Sequence, residues 1–137
     1  MTNPWIRRGG GVVAGIGVAV TVVAVVEPLG HMLFPPPAGL DLANPADQAR
    51  LMAVIPLGAK LAVVAAWFLG TLAGAWAALR LGGWASAAWA VAAVMVTLGL
   101  ITTQLFPHPV WMVAAAVLLP LLAAWLVLRR FGAGQRG

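Results

Sequence analysis

Four apolar runs, each long enough to cross a bilayer, leave this chain few ways to fold. They lie at about 10–32, 53–79, 84–105 and 110–129. The hydrocarbon core is ~30 Å thick and a helical residue rises ~1.5 Å, so a span needs about 20 apolar residues. Backbone placed in lipid must satisfy its own hydrogen bonds, which makes each run a helix. Eight Lys or Arg and three Asp or Glu bring the charged share of 137 residues to 8%. A soluble domain carries roughly 25%, and a soluble fold here would leave most apolar side chains facing water. The chain reads as one all-α transmembrane domain over 1–137, an integral membrane four-helix bundle. Short connections at Arg80–Gly83 and Phe106–Pro109 imply an antiparallel, up-and-down arrangement.

Charge placement predicts direction. With the N-terminus inside, the inner side holds Arg7, Arg8, Arg80, Arg129, Arg130 and Arg136. Arg50 and Lys60 then fall on or near the outer side, and this asymmetry favours both termini in the cytoplasm. Glu27, Asp41, Asp47, His31 and His108 all fall on the outer side. Tryptophan prefers the interfaces. Trp5, Trp76, Trp84 and Trp125 lie near the expected inner face and Trp111 near the outer one, while Trp67 and Trp89 fall deeper, as packing or lipid-facing residues. Arg7 and Arg8 before an apolar stretch resemble a signal peptide, but the stretch is long for one and three more spans follow, so the first helix is expected to stay uncleaved. The expected location is the cell inner membrane, multi-pass, with the lipid bilayer as the first partner. The scattered basic residues read as topology signals rather than a nucleic-acid surface.

The outer loop, about 33–52, is proline-rich. Phe34-Pro35-Pro36-Pro37 should leave the membrane as a short polyproline II arm. Asn44-Pro45-Ala46-Asp47 reads as a helix start, with Asn44 as the cap, Pro45 in the first helical position and Asp47 against the macrodipole. That helix is expected to run on into the second span with a kink at Pro56, and another kink is expected at Pro120.

Lipid tails are as apolar as leucine, so helices associate through close packing and polar contacts. Gly11, Gly15 and Ala19 recur every four residues in the first span, as do Ala66, Gly70, Gly74 and Ala78 in the second. Such strips let backbones approach, within the chain or between two copies of it.

Polar chemistry gathers at one depth. Glu27 and Lys60 lie near the outer ends of adjacent spans with opposite sign. Charges within a membrane usually pair, snorkel or line water, so an ion pair between them is the simplest expectation. His31 follows Glu27 by four residues, His108 sits in the outer turn between two prolines, and Thr102, Thr103 and Gln104 end the third span. Two functional readings stand beside the structural pair. In one, Glu27 with Lys60 and Gln104 forms a proton or cation pathway. In the other, Glu27, His31 and His108 hold a divalent metal, since carboxylate and neutral imidazole suit Zn, Cu or Ni; no other cofactor is expected.

No catalytic constellation emerges. The single serine, Ser86, is far in sequence from both histidines, and there is no cysteine, so no Ser/His or Cys/His nucleophile can be assembled. Four spans with a glutamate in the first, Glu27, resemble the small multidrug-resistance exporters. In that family the glutamate sits deep in the first span and faces a two-subunit pocket. Glu27 lies near an end and the proline-rich loop has no counterpart there, so the resemblance carries no activity over. The expectation is a non-enzymatic membrane protein, a subunit of a larger assembly or a homo-oligomer. The alternative is a small proton- or cation-coupled transporter, or a metal-binding membrane protein.

Overall fold

A computed structural model describes residues 3–135; Arg136, counted above among the inner basic residues, lies outside them. The described residues form five α-helices and a closing 3-10 turn: α1 (Pro4–Leu33), α2 (Pro45–Val54), α3 (Leu57–Gly82), α4 (Ser86–Leu105), α5 (Val110–Phe131) and the turn Gly132–Gly134. All helices but α2 are long and apolar enough to cross a membrane.

Each boundary has a local cause. Asn3 accepts a hydrogen bond from the Trp5 N–H at 3.0 Å, and Pro4 takes the first helical position, where its missing N–H costs nothing. This starts α1 about six residues before the apolar run does. The helix then continues through Pro28, and α5 likewise continues through Pro120. Asn44 caps α2 by accepting from the Ala46 N–H at 2.9 Å. Pro56 breaks the chain rather than kinking it: Ile55 is extended, with φ −62° and ψ 134°, and α2 ends there. A proline pushes the preceding residue out of the helical region, so the expected continuous helix becomes two. No residue of α2 is buried. Gly83 closes α3 in the left-handed region at φ 69°, a conformation that suits glycine at a helix end. Phe106, extended before Pro107, closes α4.

α3 and α4 form the middle pair, and α1 and α5 flank them; α1 packs chiefly on α3. Their contact is the meeting of the two small-residue strips. Gly11 abuts Gly82, Gly15 abuts Gly74 and Ala78, Ala19 abuts Gly70 and Gly74, and Gly30 abuts Ala62. Each step of four along α1 is matched by a step of about four back along α3. A methyl group on Gly15 would lie 2.5 Å from the Gly74 carbonyl oxygen, so the two backbones touch. Ala66 and Ala78 are fully buried in the same strip. The expected packing residues therefore serve contact within the chain.

Small side chains dominate the rest of the core. Ala75, Leu79, Ala88, Ala92, Ala124 and Val127 join α3, α4 and α5. Val64, Trp67, Met112 and Ala116 join α3 to α5, with Val23 of α1 against them. Trp67 is 5% exposed, whereas Trp89 is 42% exposed, so one is a packing residue and the other faces outward.

Candidate functional site

Glu27 lines a pocket of about 280 Å3 between α1, α3 and α4. Its position follows from helical phase. Val23, one turn earlier, packs into two core clusters, and four residues turn a helix by about 400°. Glu27 thus lies only about 40° from Val23, toward α4. The opposite walls are Trp67 of α3 and Met95, Leu98, Gly99 and Thr102 of α4. The carboxyl is half-buried, one polar group on largely apolar walls.

The polar surroundings of Glu27 are the Trp67 indole N–H, which faces the carboxyl, and the imidazoles of His31 and His108. Trp67 is held firmly. Its carbonyl accepts from the Thr71 hydroxyl at 2.7 Å, and its ring stands 6.2 Å from the His108 ring at a tilt of 43°. His108 is fixed in turn by the Phe106 carbonyl, which lies 2.8 Å from Nδ1 and accepts from the His108 backbone N–H at 2.9 Å. A carbonyl can only accept, so Nδ1 carries a proton and Nε2 is the free nitrogen of the neutral ring. The connection Phe106–Pro109 is thereby a support for the pocket rim.

Lys60 does not meet Glu27; the one ion pair among the described residues joins Arg50 to Asp47 at 3.9 Å. The α1–α3 register explains the separation. Gly30 sits against Ala62 and Val23 against Gly70, which puts Glu27 level with Ala66 and Trp67. Lys60 is six or seven residues further along α3, about 10 Å at ~1.5 Å per residue. It is also two residues from Ala62, so about 200° of helical turn carries its side chain away from α1. The expected pair fails in both depth and direction.

The remaining polar residues divide. Thr102 lines the pocket, but its hydroxyl donates to the Leu98 carbonyl at 2.9 Å. Thr103 is buried and donates to Leu100 at 2.8 Å. Gln104 is exposed and is not among the pocket walls. His31 is exposed at the end of α1. No group of three His, Asp or Glu side chains among the described residues could hold a metal ion, so Glu27, His31 and His108 do not close into a ligand set. Trp67 is the site residue that composition and spacing did not single out. The two small-residue strips alone admit registers that differ by one helical turn, and only the observed contacts of Gly30 with Ala62 and Val23 with Gly70 bring Trp67 level with Glu27.

No protein-family model matches the chain, and no curated protein or solved structure matches it either.

Proposed function

We propose that this chain is a multi-pass inner-membrane protein that acts without catalysis, binding and passing a proton or small cation at Glu27. Its four spans run up and down as an antiparallel bundle with both termini in the cytoplasm. The arginine-bearing ends of α1, α3 and α5 face inward, and the outer loop, α2 and His108 face outward. Lys/Arg asymmetry supports this direction.

The observation that carries the reading is a half-buried carboxyl on a pocket wall with no ion-pair partner among the described residues. An ionisable group held within a span is costly and marks ion or proton pathways far more often than mere packing. Had Lys60 neutralised Glu27, a structural role would explain both residues. Instead, among the described residues, the polar groups near the carboxyl are the Trp67 indole, a donor that can orient it, and the imidazoles of His31 and His108, which can relay protons. The experiment is flux in proteoliposomes under an imposed proton or cation gradient. Glu27→Gln keeps shape and removes charge, and is expected to lower flux at least tenfold. Lys60→Met, turned away from the pocket, is expected to leave it unchanged. Equal flux in Glu27→Gln and the parent protein, or none in either, rejects the reading.

A second reading, a subunit that associates with copies of itself or another membrane protein, draws on α1. Only 17% of its most apolar window is buried, against 50% for α3, and a side chain on Gly17 would meet nothing within 4 Å. The chain has no cysteine, so Gly17→Cys provides a unique thiol. Disulfide-linked dimers on oxidation in membranes are expected if α1 meets another copy; unmodified monomer at both Gly17→Cys and Val13→Cys excludes that face.

A further inference from the structure

A second concavity lies on the other side of α3, where α1 and α5 stand apart. It is an open groove of about 720 Å3 whose walls include Val22, Leu69, Leu72 and Leu126, with Trp76, Phe131 and Arg130 at one end. The guanidinium of Arg130 stacks over the Phe131 ring at 5.8 Å, and that of Arg80 over Trp76 at 5.7 Å. Both rings and Arg130 line the groove, and Arg80, though not itself a wall residue, is braced on the Trp76 ring of that wall. Neither arginine makes an ion pair among the described residues, and the three acids of the chain, Glu27, Asp41 and Asp47, lie in other segments.

We propose that this groove binds one acyl chain of an anionic phospholipid, with the headgroup phosphate held between Arg80 and Arg130. The dimensions agree. From Arg80 to Leu69 is eleven residues, about 16 Å of helix, close to half of a ~30 Å hydrocarbon core. The groove therefore offers one leaflet's depth of apolar wall below a cationic mouth. Arginine presents paired N–H donors that match phosphate oxygens, and basic pockets between spans on the cytoplasmic side favour anionic headgroups. Zwitterionic lipid would fill the same walls but brings no net charge to the two guanidiniums.

The test is native mass spectrometry of the full chain in detergent with phosphatidylglycerol or phosphatidylcholine of identical acyl chains. Phosphatidylglycerol is expected to be retained preferentially. Two arginines near a membrane surface together favour an anionic lipid by about thirtyfold, so Arg80→Gln with Arg130→Gln should lower that retention by a similar factor. Arg129→Gln removes the same charge from a guanidinium stacked over Trp125, outside the groove, and should leave retention unchanged. Ala73→Phe, which fills the groove while keeping both arginines, should also abolish retention, with helicity by circular dichroism confirming the fold. Equal retention of both lipids, or equal losses in Arg129→Gln and the double variant, overturns the proposal. Retention of glycerol phosphate as strongly as phosphatidylglycerol also overturns it, because that result means the chain contributes nothing. Glu27→Gln should leave lipid retention untouched, which separates this outcome from the ion-binding reading.

Discussion

Gly15→Val should destabilise the fold by about 3 kcal/mol or more, while Gly17→Val, two residues along the same helix, should leave its stability intact. A methyl group on Gly15 would lie 2.5 Å from the Gly74 carbonyl oxygen, 2.6 Å from Ala78 Cβ and 3.0 Å from Val91 Cγ2. The first of these atoms is backbone and cannot swing aside. The obstruction is mutual, since a methyl on Gly74 would meet the Gly15 carbonyl and Ala19. Relief requires α1 to move off α3, which also separates Gly11 from Gly82 and Ala19 from Gly70. Overpacking a tight site costs about 1–3 kcal/mol and sometimes more, and a branched side chain between two touching backbones belongs at the upper end. Packing also carries a greater share of stability here than in water, because burial from lipid gives helices no hydrophobic gain. At Gly17 a side chain would meet nothing within 4 Å, and the expected change is within about 0.5 kcal/mol. Unfolding of both variants in mixed micelles, followed by circular dichroism, measures the difference. Equal midpoints would mean that the α1–α3 contact does not hold the bundle together.

That same contact separates what could be read from the sequence from what could not. Hydropathy reports where a helix is buried in lipid, and it located the four long helices with their proline and glycine boundaries. It says nothing about helix ends held by polar caps, so Asn3 and Pro4 extend α1 beyond its apolar run, and Pro56 divides a helix that looked continuous. The spacing of Gly11, Gly15 and Ala19 and of Ala66, Gly70, Gly74 and Ala78 identified two surfaces able to touch. Depth was harder to read. Counting inward from the ends of two apolar runs put Glu27 and Lys60 at one level, yet register is set where backbones meet, not where hydropathy begins. Once Gly15 is placed against Ala78 and Gly30 against Ala62, Glu27 falls level with Ala66 and Trp67, and Lys60 falls about two turns away. Angular phase compounds the error, because a side chain two residues from a contact point faces the opposite side of its helix. Glu27 itself was legible as an anomaly within a span; its neighbours depended on a register that no single span encodes.

Trp67 connects stability to the site, and two substitutions there should separate the roles. Trp67 is 5% exposed and packs among Val64, Met112 and Ala116, so Trp67→Ala should cost about 3–5 kcal/mol, as for other buried aromatics truncated to alanine. It would also open the Glu27 pocket toward α5 and remove the ring against which His108 leans. Trp67→Phe keeps an aromatic ring in that space, at a cost on the order of 1–2 kcal/mol for the lost atoms, but it has no N–H to face the carboxyl. A polar contact of this kind contributes about 0.5–1.5 kcal/mol net, so the cation concentration giving half-maximal flux should move by roughly twofold to tenfold in Trp67→Phe. A purely structural tryptophan would give the reverse pattern, with transport following the amount of folded protein in both variants. Flux normalised to folded protein distinguishes the two cases. If normalised flux in Trp67→Phe matches the parent protein at every cation concentration, the indole is packing alone, and Glu27 must act without it. If the midpoint moves while the unfolding transition scarcely does, the tryptophan that braces α3 against α5 also sets the chemistry of the one carboxyl held within a span.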